Sequence, residues 1–302
     1  MTASPRVSVI IPAYESHVTI AGCLDALRRQ TFTDFEVIVV DSGPSDRSQA
    51  IVAAGYPEVH FIRSASPLPP QAARDHGVQH ARGSVFVFTD PDIYPVETWL
   101  ARLMAVFDQQ QVSACQGVII GAIDCYGHRW LDVGIHLCKF YKILPGTRHT
   151  DISPSGNMLC GRALFERMHG FNTNEPQGDV LLSWRLTDQG CPITIVPDAV
   201  VYHHHVMSLG AFVKERWVRG QRFAAIRAER ERLEGVRWLW RTMITILPLR
   251  FTSLMIKVAR SCARAGTVAD YLCTLPVIAL GQAVWLAGEA RYLLWKWRRK
   301  TA

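Results

Sequence analysis

The feature that most constrains this chain is an alternation running through its first 90 residues. Short, uninterrupted apolar runs take turns with segments whose apolar residues recur at helical spacing. Residues 7–11 form a β-branched run closed by Pro12, after which Ile20, Leu24 and Leu27 return every three or four positions. Residues 36–40 form a second run, closed by Asp41, Ser42, Gly43 and Pro44, and 45–54 read as a helix. Residues 59–62 read as a strand, Pro69-Pro70 opens a helix to Ala81, and 85–88 is the next strand, ending at Thr89-Asp90. Proline is tolerated in a first helical turn because its missing N–H has no partner there. Strand–helix alternation predicts βαβ units, and continuous apolar runs predict strands covered on both faces. The expectation is an α/β fold with a mostly parallel mixed sheet flanked by helices. In such sheets ligands bind beyond the carboxyl ends of the strands. Asp41, Asp90 and Asp92 all follow strand ends and are predicted to meet at one edge.

Residues 112–120 read as a further strand and 129–142 as an amphipathic helix through Trp130, Val133, Leu137, Phe140 and Tyr141. A loop is expected up to Ser155-Gly156-Asn157-Met158, then helices over 161–168 and 178–189. Strands over 193–196 and 199–202 flank Pro197, and a helix covers 208–231. Residues 1–235 are read as one domain and 236–302 as a tail of a different kind. The charge supports the split. The chain is +7 overall, but residues 1–210 hold 15 basic and 20 acidic residues and 211–302 hold 18 and 6. An acidic body with a basic tail argues against a uniformly basic nucleic-acid binder and favours a tail that meets an anionic surface.

Within the tail, Arg250, Ser253, Lys257, Arg260 and Arg264 form one stripe and Phe251, Leu254, Met255 and Val258 the complementary one. That pattern suits an interfacial membrane helix, or a helix packed on the body with a solvated basic face. Trp238, Trp240, Trp285, Trp295 and Trp297 crowd the same region, as in an interfacial aromatic belt. Residues 271–288 carry no charge, but 18 helical residues rise only about 27 Å against a hydrocarbon core of about 30 Å. Pro276, Gly281 and Gln282 interrupt the segment, so a monotopic or re-entrant tail is the better expectation than a span. The eight cysteines include no CxxC pair, and residues 1–16 lack the charged and apolar regions of a leader peptide. The body is accordingly expected at the cytoplasmic membrane face, with reduced thiols.

Six short motifs follow one another along the first 220 residues: VSVIIPAYES, QTFTDFEVIVVDSGPSD, QAARDHGVQHARGSVFVFTDPDIYP, SGNMLCGRALFERMHGF, GDVLLSWRLTDQG and PDAVVYHHH. In this order they resemble a family-2 glycosyltransferase of GT-A fold, over roughly residues 6–235. The resemblance implies transfer from a nucleotide-diphospho-sugar with Mg²⁺ or Mn²⁺. It makes Pro12, Ala13, Tyr14 and Glu15 the first nucleotide-binding loop and Asp41 part of the nucleobase loop. The second acidic position of that loop is Ser42 here. Arg74 then touches the nucleotide, with Asp75 where the family has Asn, unless it forms a surface ion pair. Asp90-Pro91-Asp92 matches the family's DxD motif, and the resemblance implies Asp90 near the ribose and Asp92 on the metal; the alternative is a loop-capping pair. Two carboxylates at one strand end repel each other without a cation, and hard divalent ions prefer such oxygens.

Asp179 takes the place of the acceptor base, with Gly178 where the family often carries Glu. The alternative for Asp179 is an N-cap of helix 178–189. One histidine of the 203–205 run is implied near the metal. His203 fits the register best, and alternation along a strand puts His203 and His205 on one face; the bland alternative is a polar strand end. Arg216-Trp217 lacks the Gln of the QxxRW motif, because Val213 stands there. That argues against a processive polysaccharide synthase. The reading is an inverting, metal-dependent transferase acting on a lipid-linked or membrane-proximal acceptor, with no nucleic-acid partner. A nucleotidyltransferase, or a silent membrane-binding protein keeping the fold, are the alternatives.

Overall fold

The computed structural model describes residues 4–109, 112–121, 129–147, 149–172, 177–204, 207–246 and 248–301. The chain divides into two compact units, Met1–Ala122 with Thr147–His204, and Ile123–Gly146 with His205–Ala302.

In the first unit every expected apolar run becomes a strand. The elements are β1 (Val7–Ala13), α1 (Ile20–Arg28), β2 (Phe35–Asp41), α2 (Arg47–Gly55), β3 (His60–Arg63), α3 (Pro70–His80), β4 (Val85–Thr89), β5 (Ile93–Pro95), α4 (Trp99–Gln109) and β6 (Ala114–Gly121). After α5 (Arg129–Phe140), which belongs to the second unit, come β7 (His149–Thr150), β8 (Asn157–Gly161), α6 (Arg162–Arg167), α7 (Gly178–Asp188) and β9 (Ile193–His203). The described strands form one sheet in the order β3-β2-β1-β4-β8-β6-β9-β5, with β7 on β9. β1 and β4 are buried along their whole length, as strands covered on both faces must be. Phe86, Phe88, Phe165 and Phe171 close one face as an aromatic cluster, with Phe88 and Phe171 centroids 4.9 Å apart.

The sheet differs from the expectation in four respects. It is mixed, as expected, but not mostly parallel: four ladders are parallel and four antiparallel. The segment after Ser155, expected to begin as a loop, continues into β8, which inserts antiparallel between β4 and β6. Residues 93–95 form β5 at the sheet edge, where Pro95 costs no ladder hydrogen bond. Finally, the strands flanking Pro197 are a single strand, β9. Its pairing with β6 jumps from Gly117↔Val196 to Val118↔Val200. The fully buried Asn157 amide bridges that jump, donating to Val118 O at 3.1 Å and Ala199 O at 3.2 Å while accepting from the Trp99 indole at 2.8 Å.

The second unit is helical. It contains α5, α8 (Leu209–Arg230), α9 (Gly235–Ile246), α10 (Pro248–Ala265), α11 (Val268–Cys273) and α12 (Leu275–Thr301). The expected boundary at 235 falls between α8 and α9, inside this unit. Glycines let α8 and α12 meet backbone to backbone: a Cβ at Gly220 would overlap the Trp285 carbonyl, and one at Gly288 the Trp217 carbonyl. Arg216 is held in the same seam. Its Nε donates to Gly281 O at 3.2 Å and its guanidinium lies 4.2 Å from the Trp285 ring centroid.

Two expectations for the tail change here. Arg250 turns inward, and the stripe of Phe251, Leu254, Met255 and Val258 is wholly or half buried, with Val258 in the unit's core. Residues 271–288 break at Thr274, and Val277, Ile278, Gly281, Gln282, Leu286 and Gly288 pack inward. Among the described residues no single helix is long and apolar enough to cross a membrane; α9 and α10 qualify only as a pair bent by 62°.

Arg250 is drawn in by Glu289, which is fully buried. Glu289 Oε2 pairs with Arg227 and, at 2.7 Å, with Arg250, and Oε1 accepts the Trp285 indole at 2.6 Å. Removing one partner of such a cluster leaves buried charge uncompensated. Glu289→Ala is therefore expected to destabilise the chain by about 3–5 kcal/mol, read by urea unfolding. A loss below about 1 kcal/mol would mean water reaches the two arginines freely.

Candidate active site

Because β2, β1 and β4 are parallel neighbours, their carboxyl ends share one edge. The loops leaving them carry most of the residues singled out in the sequence. Pro12 is buried within β1, and Tyr14 and Glu15 are exposed just past it. Glu15 has a left-handed backbone (φ 52°) and its carboxylate accepts the Ser45 amide at 3.0 Å, tying this loop to the next. Gly43 is required at the crossing, since a Cβ there would lie 2.8 Å from the Glu15 amide nitrogen.

Asp41 is 1% exposed and both its oxygens are engaged. Oδ1 accepts the Gly43 amide at 2.9 Å and Oδ2 accepts Arg63 at 3.0 Å. Arg63 is the residue that sequence reasoning missed. The signal was register, not motif: β2 and β3 pair Asp41 directly with Arg63. Arg63 also donates to Ser45 O at 2.6 Å and stays partly exposed, so it carries positive charge to the loop rim.

The alternative of a surface ion pair for Arg74 is corrected: the pair it makes is a buried one. Arg74 is 1% exposed and its guanidinium donates to Asp90 Oδ1. Asp90 Oδ2 faces the Gly156 backbone, where a Cβ would come to 2.8 Å, so the glycine leaves that oxygen room. Beneath it, the Cys23 thiol donates to Asp90 O at 3.6 Å. Burial, reinforced by Asp92 and Asp90, pushes that thiol's pKa far up and keeps it neutral.

Asp92 and His203 are brought together by β5 and β9. The pair Ile93↔His203 sets the rung, and the next one closes with His204 N donating to Asp92 O at 2.8 Å. His203 Nε2 then lies 3.8 Å from Asp92 Oδ2. His204 turns to the other side and stacks on Tyr94, centroids 3.8 Å apart, and burial lowers its pKa. His205 lies outside the described residues. Among the described residues no group of three or more His, Cys, Asp or Glu side chains gathers as a metal cage. A carboxylate and an imidazole at this spacing fit a cation that takes its remaining ligands from phosphate and water, which is how Mg²⁺ and Mn²⁺ are commonly held.

Asp179 sits in the first turn of α7, half-buried, and its Oδ1 accepts the Val180 amide at 3.0 Å. The helix begins after Gln177 in a left-handed conformation (φ 72°), with no side-chain cap. Gly178 has a physical reason: a Cβ there would sit 2.8 Å from the Phe171 carbonyl oxygen, so a glutamate does not fit. α7 is moored to the rest of the unit by Ser183, whose hydroxyl accepts the Ser153 amide at 2.9 Å.

Asp75 fastens the turn that precedes α7. Its carboxylate accepts the Phe171 amide at 3.0 Å, and Arg185 of α7 donates to Gly170 O in the same turn. Burial raises the Asp75 pKa above the usual carboxylate value, more than the amide contacts lower it. A raised folded-state pKa in an acid means stability is lost as pH climbs through it. Asp75→Asn keeps the acceptor oxygen and removes the buried charge. The unfolding midpoint is thus expected to match wild type near pH 3 and exceed it near pH 8, by thermal denaturation. A difference independent of pH would assign Asp75 another role.

The glycosyl transferase family 2 model matches residues 8–168, more than half of the chain, and the chain belongs to that family. Among curated relatives it is 32% identical over 120 residues to the uncharacterized glycosyltransferase YibD of Escherichia coli. It is 34% identical over 103 residues to the glycosyltransferase AglE of Haloferax volcanii. These matches take in 38% and 32% of this chain, and 35% and 34% of the relatives, so the shared stretch is about a third of each. The mannosyltransferase PcManGT from Pyrobaculum calidifontis, solved in complex with GDP-Man and Mn²⁺, shares the fold at TM-score 0.65 and 21% identity. That alignment covers 98% of this chain and 88% of the other. The architecture is that of a GT-A glycosyltransferase.

Proposed function

We propose that the chain is an inverting, metal-dependent glycosyltransferase that moves a sugar from a nucleotide-diphospho donor to a hydroxyl of a lipid-linked or membrane-proximal acceptor. The observation that carries this reading is the juxtaposition of Asp92 and His203, 3.8 Å apart, on the sheet edge that also presents Asp90. Asp92 and His203 would hold a divalent cation, whose chemistry is to offset the charge gathering on the leaving diphosphate. Arg74 orients Asp90 through Oδ1, and Oδ2 would accept a ribose hydroxyl. The Glu15 and Asp41 loops, braced by Gly43 and Arg63, frame the base.

In the chemical step the acceptor oxygen attacks the anomeric carbon, and the bond from that carbon to the diphosphate oxygen breaks. Asp179 accepts the hydroxyl proton. One carboxylate suffices for a single displacement, consistent with the lack of room for a glutamate at Gly178. The membrane-proximal acceptor and a site on the cytoplasmic face are supported by the cationic surplus of residues 211–302.

The test is nucleotide release by purified full-length protein in detergent, with Mn²⁺, Mg²⁺ or EDTA. GDP-mannose is the first donor to offer, because PcManGT was solved with it; UDP-sugars follow. Metal-dependent release, increased by a lipid-phosphate or glycolipid acceptor, is the expected result. Release that is equal in EDTA, or absent with every donor, overturns the proposal.

A further inference from the structure

Helix α9 is built inside out for a helix that faces water. Its buried side carries Trp238, Thr242 and Thr245. The threonine hydroxyls donate back to their own helix, Thr242 to Trp238 O and Thr245 to Arg241 O, each at 2.9 Å. The opposite side carries Val236, Leu239, Trp240, Met243 and Ile246, all exposed. At 100° per residue these five fall within about 120° of arc, the width of a face that normally packs against something. Val236 is 82% exposed, Trp240 63%, and Leu249 at the start of α10 75%.

The outward face of α10 continues the pattern and then changes character. Leu249 and Ile256 come first, then Lys257, Arg260 and Arg264 in the same arc. Arg250, which would interrupt the apolar part, is withdrawn onto Glu289. The result is an apolar face bordered at one end by exposed cations, with exposed Arg237 flanking α9 on the Trp240 side.

Charge complementarity identifies the occupant. Of the six acidic residues in 211–302, Glu215, Glu231 and Glu289 are taken up by Lys139, Arg241, Arg227 and Arg250. The surplus left at the surface is cationic. An apolar face with a tryptophan at its margin and arginines beyond it matches the layering of an anionic bilayer, acyl chains below and phosphates above.

We propose that Val236, Leu239, Trp240, Met243, Ile246 and Leu249 insert into the interface of an anionic phospholipid bilayer, with Arg237, Lys257 and Arg260 at its phosphates. The inference deepens, and rests on, the reading of a membrane-proximal acceptor. It moves the contact away from the apolar stripe of 250–264 and from Val277, Ile278 and Leu286 within 271–288, which pack into the unit's own interior.

The test is cosedimentation of full-length protein with phosphatidylcholine vesicles containing about one-third phosphatidylglycerol, and with phosphatidylcholine alone. Wild type is expected to bind the anionic vesicles. W240E/M243E, at exposed positions and with an unchanged unfolding midpoint, is expected to lose about tenfold or more in partition. K257Q/R260Q is expected to lose about fivefold per cation at low salt and less at high salt. Equal partition of wild type and W240E/M243E overturns the proposal, as does equal binding to neutral and anionic vesicles. It is also overturned if wild type stays in solution as a dimer that W240E/M243E converts to monomer, because the face is then an interface between copies. Donor turnover in detergent separates the two readings. Intact turnover with vesicle binding indifferent to Trp240 and Met243 sinks this surface alone. Absent turnover with vesicle binding that still needs them sinks the enzymatic reading and leaves the surface standing.

Discussion

Asp92→Ala is expected to lower kcat/KM by about a thousandfold or more, the scale of the several kcal/mol that a cation supplies to a departing diphosphate. Folding should survive the change. Residue 92 ties β5 to β9 through its backbone carbonyl, which accepts the His204 amide at 2.8 Å and is present with any side chain. The carboxylate is partly exposed and lies 3.8 Å from His203. The measurement is steady-state turnover across a titration of Mn²⁺ and Mg²⁺, with the unfolding midpoint measured alongside. Turnover unchanged at saturating metal would remove Asp92 from the cation site and leave His203 without a partner for that role.

Asp179→Asn is expected to lower kcat by about 10²–10⁴, the usual worth of a positioned general base, with donor KM unchanged. Asparagine keeps the acceptor oxygen that receives the Val180 amide at 3.0 Å, so the first turn of α7 stays closed. Asp179→Ala separates the two roles. It loses the base and the amide contact together, and should also cost about 1 kcal/mol of stability, the usual worth of one hydrogen bond. Near-normal turnover by the asparagine variant would leave Asp179 only its contact with the Val180 amide and place the base elsewhere.

The parts of this protein legible in its sequence are those governed by neighbours in the chain. β1, β2, β3 and β4 and the helices between them were marked by local periodicity and by Pro12, Gly43 and Pro70, because such βαβ units close over a few tens of residues. That order alone placed Asp41 and Asp90 on one edge. The motifs around them identified the family that the model match bears out. Asp90's ion pair with Arg74 was not legible, since no spacing rule says which carboxylate a buried arginine will meet.

What only the tertiary structure decided are pairings between distant segments. β8 joins β4 across some 70 residues, and β5 joins β9 across more than 100. A three-residue segment such as 93–95 has too little periodicity to announce itself. Its partner supplies the hydrogen bonds, and the rung Ile93↔His203 is what sets Asp92 beside an imidazole. The same holds for the tail. Its sequence showed basic and apolar stripes, but a stripe states only that two faces differ, not which one packs. Buried Glu289 recruited Arg250 and Arg227, and the glycines of α8 and α12 let those helices touch. Those long-range contacts took up the stripe of 250–264 and the inward residues Val277, Ile278 and Leu286 of 271–288, and left the apolar side of α9 facing outward. Amphipathicity is a property of one helix; which side becomes the interior is decided by the contacts that the whole unit satisfies best.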